Sequence, residues 1–168
     1  LASAATTHSR ILNEDRTFLI RVPPKARKNS EAPLDLTVIY ILDAEKHFAS
    51  AAASAAFFEA SRISSLGPVA VVGIVSTDRT RDFTPTASNA RRDGTIDEKA
   101  PVLGGGADKF LEFLTTELRD AAEKRLPAGT RVARRMLIGH SYGGLFTLHA
   151  LLTHPERFDL YAALDPSL

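Results

Sequence analysis

The stretch Gly139-His140-Ser141-Tyr142-Gly143-Gly144 constrains the fold more than any other part of this sequence. Directly before it, Arg135-Met136-Leu137-Ile138 is short and apolar enough for a buried parallel strand. Directly after it, residues 145–152 (Leu-Phe-Thr-Leu-His-Ala-Leu-Leu) read as an apolar helix. A strand that turns at once into a helix brings residues 139 and 143 together, so both positions call for glycine. Ser141 is then held at the apex with its Oγ exposed. The first amides of the following helix point at any negative charge that develops on a carbonyl bound there. Gly-x-Ser-x-Gly occurs by chance in many sequences; the flanking strand and helix are what make it a turn for presenting a nucleophile.

One domain has to accommodate that turn. A chain of 168 residues buries one good core, so residues 1–168 read as a single domain. Apolar content of 44% and charged content of 24% are ordinary for a globular protein. The net charge of +1 makes no electrostatic case for nucleic acid or an anionic membrane, and neither is expected as a partner. There is no cysteine, which excludes a disulfide framework and a thiolate metal site. No apolar run approaches the ~20 residues of a membrane span. The opening Leu-Ala-Ser-Ala-Ala-Thr-Thr reads equally as what a removed leader leaves behind or as an arbitrary boundary.

In chain order, residues 1–13 read as a loose polar leader. Residues 16–22 alternate in part and predict an edge-type strand closed by Pro23-Pro24, followed by a charged turn from Lys25 to Ala32. Residues 36–42 (Leu-Thr-Val-Ile-Tyr-Ile-Leu) form a near-continuous β-branched run, the mark of a strand buried on both faces, ending at Asp43-Ala44-Glu45. An alanine-rich helix over 46–64 follows, with Phe48, Ala52, Ala55, Ala56 and Phe58 on its packing face, until Gly67-Pro68 stops it. Residues 69–75 are the next buried strand. Residues 77–106 form a long polar stretch ending in Gly104-Gly105-Gly106, a flexible lead into a helix over 107–126 that lacks the Lys-Ser/Thr of a P-loop. Arg91-Arg92-Asp93 and Arg131 to Arg135 read as solvated charge clusters. After the Gly-x-Ser-x-Gly turn, the helix runs to His154-Pro155, and residues 158–166 make a last apolar strand. Strands alternating with helices predict an α/β fold: a mostly parallel sheet with helices on both faces.

In such a sheet the strand–serine–helix turn is the nucleophile elbow of the α/β-hydrolases. The chain from Arg16 to Leu168 resembles the putative-esterase family of α/β-hydrolases, the group of enterochelin-type siderophore esterases with esterase D and mycolyltransferase relatives. The resemblance is carried by residues 38–43, Val72-Gly73-Ile74, residues 78–85, residues 104–110, the elbow at 139–144 and Asp165-Pro166-Ser167. It implies hydrolysis of a small-molecule carboxylic ester through an acyl-serine, without metal or organic cofactor. Ser141 is then the nucleophile, an alcohol that needs a base to take its proton. The backbone N–H of Tyr142 is one oxyanion-hole donor. By similarity to the family's Leu-Asp-Gly-x turn, the amide of Glu45 is the other, with Ala44 where the family often has glycine. Arg79 and Arg81, just beyond a central strand, are candidates to hold an anionic or catecholate-like group, and equally candidates for an ion-paired loop anchor.

The base is not apparent. The fold orders its triad as serine, acid, histidine, and only 24 residues follow Gly144. His140 is expected to pack toward the sheet, His149 lies about 12 Å along the helix by its rise, and His154 is farther still. His47 begins the helix after the oxyanion loop and could face the site; His8 falls in the leader. The expectation is therefore a sheet lacking its last strands, with acid and histidine beyond residue 168 or in a partner, and an edge strand 158–165 open to self-association or a partner chain. The alternative function is a non-catalytic α/β-hydrolase-like module that binds a ligand or protein; the intact elbow favours the esterase.

Overall fold

The two β-branched runs supply the centre of the molecule. In the computed structural model, which describes residues 2–24, 33–61, 67–90 and 94–168, one six-stranded sheet carries the fold. Its strands are β1 (Ala2–Ser9), β2 (Glu14–Arg21), β3 (Leu34–Ile41), β4 (Val69–Ile74), β7 (Thr130–His140) and β8 (Leu160–Leu164), in the order β1-β2-β4-β3-β7-β8. β3 pairs in parallel with both β4 and β7, and β7 with β8, while β1 and β2 run antiparallel on the far side. The sheet is therefore mostly parallel. A two-stranded pair, β5 (Ala87–Ser88) and β6 (Leu103–Gly104), stands apart from it.

Helices cover both faces. Helix α1 (Ala44–Ser61) packs one face through Ala44, Phe48 and Ala55 against Ile41, Val69 and Val71. Ala56 and Phe58 do not join that face; Phe58 is exposed and makes an edge contact with Phe57 instead. On the other face lie α2 (Arg79–Phe83), α3 (Ala107–Phe113), α4 (Arg119–Glu123) and α5 (Tyr142–Thr153). There Phe83, Phe110, Phe113 and Phe146 form a connected aromatic cluster with no measurable exposure beyond 1%. Each such side chain contributes about 1.5–3 kcal/mol by leaving water.

Several expectations need correction. Residues 2–9 are not a leader but β1, which covers the outer edge of β2, so residues 16–22 do not form an edge strand. Ladder pairing supplies what the weak Ala/Thr pattern does not announce. The stretch 77–106 contains α2, capped by the Asp78 carboxylate accepting from Arg81 N–H, as well as β5 and β6. Gly104, Gly105 and Gly106 pack closely: a Cβ on Gly106 would stand 2.7 Å from the Arg81 carbonyl oxygen. The helix at 107–126 is interrupted by a π-turn at Leu114–Leu118, where Thr115 Oγ1 donates to the Leu111 carbonyl and Thr116 Oγ1 to that of Glu112. Those hydroxyls compete for the carbonyls that an α-helix would use. Arg131 to Arg135 belong to β7, where Arg131 forks onto Asp35 and Arg135 onto Glu123. The turn at 25–32, residues 62–64 of the helix and the cluster Arg91-Arg92-Asp93 lie outside the described residues.

A buried cation ties the antiparallel side to the helices. Arg16 has no exposed surface; its Nη1 donates to Glu14 at 2.8 Å and to Asp82 at 2.7 Å, and its guanidinium lies over the rings of Phe110 and Phe113. Asp82 also accepts from Arg81, which forks onto Glu14. The Arg81 hydrogen bonds, supported by Arg16, outweigh partial burial and hold the Glu14 carboxyl down at about 2. The network ties α2 to the start of β2 and to α3.

Candidate active site

Parallel β3 and β7 end side by side, so the loops that follow them meet. β7 leads directly into α5 through Ser141, whose backbone has φ 57° and ψ −118°. That is the left-handed side of conformational space for a residue with a Cβ, and it holds the side chain out at the apex of the turn. Gly139 makes the turn possible: a Cβ there would lie 2.1 Å from the Gly143 carbonyl oxygen and 2.3 Å from its carbon. Gly143 is under no such restraint, because its added Cβ would meet Leu42 at an ordinary 3.4 Å. The second restrained glycine is Gly144, where a Cβ would stand 2.8 Å from the Leu164 carbonyl oxygen.

The loop after β3 turns at Asp43, which has φ 53°, so the sharp bend falls one residue before Ala44 and α1 begins immediately. Ala44 and Glu45 lie in the first turn of α1, so their amides have no intrahelical acceptor. The Tyr142 amide holds the same position in α5. The Glu45 carboxylate accepts from Ser76 N–H at 3.2 Å, tying this loop to the end of β4.

Arg79 joins the two loops. Its Nε and Nη2 donate to the Asp43 carboxylate at 2.6 and 3.0 Å, and its guanidinium stands 5.7 Å from the Tyr142 ring centroid. Burial pushes the Asp43 carboxyl up, but hydrogen bonds from Arg79 and from Ser76 Oγ outweigh this and hold it below the usual carboxylate value. Arg79 Nη1 makes no hydrogen bond among the described residues, and 30% of the side chain is exposed. Arg81 is different: Nε, Nη1 and Nη2 are all engaged by Asp82 and Glu14.

No histidine hydrogen-bonds Ser141 among the described residues. His140 does not pack into the sheet: its side chain is 47% exposed, edge-on to His47 at 5.6 Å between centroids, with Nε2 4.0 Å from Asp165. Position 140 points to the α1 face, opposite the aromatic cluster. There His47 and His140 line an open depression of about 280 Å³ with Ser50, Ser54 and Leu164. His149 pairs with Asp108 on α3, His8 with Asp15, and His154 stands 3.6 Å from Glu156. The side chain that does reach Ser141 is Ser167, with its Oγ 3.0 Å from the Ser141 Oγ. Neither Ser167 nor Asp43 carries a role in the sequence reading. The signals for both are position, since each follows the C-terminal end of a strand beside the elbow strand, and their place in segments that carry the family resemblance.

Comparison with known proteins agrees with this geometry. The family model described as Putative esterase matches residues 9–168. The siderophore triacetylfusarinine C esterase of Aspergillus fumigatus is 38% identical over 139 residues, which is 79% of this chain and 44% of that protein. The siderophore enterobactin esterase of Emericella nidulans is 36% identical over 138 residues, 77% of this chain and 46% of that protein. Among solved structures, the IroE-like serine hydrolase from Shewanella oneidensis superposes with a TM-score of 0.85 at 34% identity, covering 100% of this chain and 51% of that one. The chain thus spans about half the length of the curated relatives it matches.

Proposed function

The chain belongs to the putative-esterase family of α/β-hydrolases, and on that premise we propose that it forms the nucleophile-bearing part of a serine-dependent carboxylic-ester hydrolase. The observation that carries this reading is the strained Ser141 at the strand–helix turn, with φ 57° and a Gly139 that admits no Cβ. Ser141 Oγ attacks the ester carbonyl carbon while a base takes its proton. The carbonyl oxygen, now negative, accepts hydrogen bonds from the amides of Tyr142 and Glu45. Each such donor is worth about 3 kcal/mol in the transition state. Collapse breaks the carbon–oxygen bond, the leaving alkoxide takes the proton from the base, and water then hydrolyses the acyl-serine. The base is assigned to a group outside residues 1–168, since among the described residues the five histidines are all engaged elsewhere or turned to the α1 face.

The substrate class follows from the relatives, which are siderophore esterases: an ester-linked iron chelator, with short acyl esters as minimal substrates. Arg79 is the residue assigned to an anionic or catecholate oxygen, supported by its unused Nη1 and partial exposure; Arg81 is assigned to anchoring α2. The outer edge of β8, with Leu160 and Leu164 41% and 51% exposed, is where a further strand would add, from a partner or a second copy.

The test is hydrolysis of p-nitrophenyl esters and of a siderophore ester by the intact protein and its Ser141→Ala variant. The variant should lose on the order of 10³-fold or more in kcat with an unchanged melting temperature. Turnover retained by Ser141→Ala would remove this serine from the mechanism and favour a ligand-binding module.

A further inference from the structure

The last residue of β8 and the short segment after it reach all three polar groups of Ser141, whose carbonyl also accepts from Leu145 N–H within α5. The Ser141 N–H donates to the Leu164 carbonyl at 3.0 Å, its carbonyl accepts from Ser167 N–H at 3.2 Å, and its Oγ stands 3.0 Å from Ser167 Oγ. The segment doubles back at Asp165, which has φ 43°. It can lie against the elbow because Gly144 has no Cβ; one added there would meet the Leu164 oxygen at 2.8 Å and Pro166 Cα at 3.0 Å. A residue 26 positions away is thereby placed on the one hydroxyl that the proposed reaction needs.

We infer that Ser167 is a positioning residue for the nucleophile, its hydroxyl donating to Ser141 Oγ; this rests on the reading of Ser141 as the attacking group. The direction follows from the chemistry of attack. A serine oxygen has one hydrogen and two lone pairs. Attack requires the Ser141 hydrogen to face the base and one lone pair to face the carbonyl carbon, leaving the second lone pair to accept from Ser167. In the opposite direction, the Ser141 hydrogen would be spent on Ser167 and withheld from the base. As the proton departs, Oγ gains negative charge, and a hydrogen bond to a charged acceptor is stronger than one to a neutral acceptor. Ser167 therefore favours the activated nucleophile over the resting alcohol, and its effect falls on acylation rather than on substrate binding. It cannot itself be the base, since a neutral alcohol takes up no proton at ordinary pH.

The experiment compares Ser167→Ala and Ser167→Thr with the unsubstituted intact protein. Three quantities are read: the pre-steady-state p-nitrophenolate burst rate against ester concentration, the rate of Ser141 phosphonylation by a fluorophosphonate followed by intact mass, and the melting temperature. Loss of one neutral hydrogen bond that becomes charge-assisted should slow burst and phosphonylation together by about 5- to 10-fold in Ser167→Ala. Half-saturation of the burst and the melting temperature should stay unchanged, and Ser167→Thr, which keeps the hydroxyl, should recover most of the rate. An unchanged or faster rate in Ser167→Ala overturns the inference. So does a loss that Thr fails to rescue or that accompanies a lowered melting temperature, which would make Ser167 merely structural. Ser141→Ala run alongside separates the two claims. If it still turns over ester, the serine-esterase reading fails; if it is inactive while Ser167→Ala is fully active, only the role of Ser167 fails.

Discussion

The two glycines of Gly-x-Ser-x-Gly should not be equivalent in this protein, and alanine at each gives a direct measure. At Gly139 an added Cβ would lie 2.1 and 2.3 Å from the Gly143 carbonyl group and 2.7 Å from Thr147 Oγ1. Carbon in good contact stands about 3.5–4.0 Å away, so the strand and helix must part by more than an ångström. The two nearest obstructing atoms are backbone and cannot rotate aside. Overpacking costs about 1–3 kcal/mol, and this case belongs at the upper end. At about 2–4 °C per kcal/mol for a protein of 150–250 residues, Gly139→Ala should lower the melting temperature by about 6–12 °C. A shift of an ångström at Ser141 should also cost about 100-fold in ester turnover. Gly143 sits in the first turn of α5 with its Cβ direction 3.4 Å from Leu42, so the helix propensity gained by alanine, up to about 1 kcal/mol, offsets mild crowding. Its melting temperature should stay within about 3 °C of the unsubstituted protein. Thermal unfolding of both variants of the intact protein, followed by circular dichroism, makes the comparison. Equal destabilisation by the two alanines, or none at Gly139, would refute the steric account of the elbow.

Two further outcomes follow from the charges. Glu14 has its carboxyl held at about 2, below its ordinary 4.5, so the stability it contributes is complete above pH 4.5 and is lost as the pH falls toward 2. Glu14→Gln should flatten the urea midpoint against pH in that window, and an unchanged acid slope would contradict the Arg81–Glu14 pairing as its source. Arg79→Ala should raise KM several-fold more for an anionic or catecholate ester than for a neutral short-chain ester. Equal effects on both esters with a lowered melting temperature would assign Arg79 to holding the buried Asp43 alone.

What was legible in the sequence was what local pattern controls. Residues 36–42 and 69–75 are β-branched runs long enough to be buried strands and nothing else, and they appear as β3 and β4 at the centre of the sheet. The elbow was legible because its strand, turn and helix are contiguous. What escaped depends on contacts between distant residues. β1 is a strand because β2 needs a partner, not because Ala-Ser-Ala-Ala-Thr-Thr prefers one. Arg16 is buried because Asp82 and two phenylalanines enclose it from far along the chain. Arg79 and Arg81 look alike in sequence, yet two residues of helix rotate them apart, one to Asp43 and the other to Glu14. The π-turn depends on which carbonyls Thr115 and Thr116 take, and the pairing of Ser141 with Ser167 on a reversal at Asp165 that no local preference announces.

Trapping the acyl-enzyme tests the central claim most directly. The intact protein is mixed with a p-nitrophenyl ester, quenched in acid within the burst phase, digested and analysed by mass spectrometry. The account predicts one acyl group, carried by the peptide containing Gly139-His140-Ser141-Tyr142-Gly143-Gly144 and localised to Ser141, and its absence in Ser141→Ala. Full ester turnover with no adduct on Ser141, or with the acyl group on another residue, would contradict it.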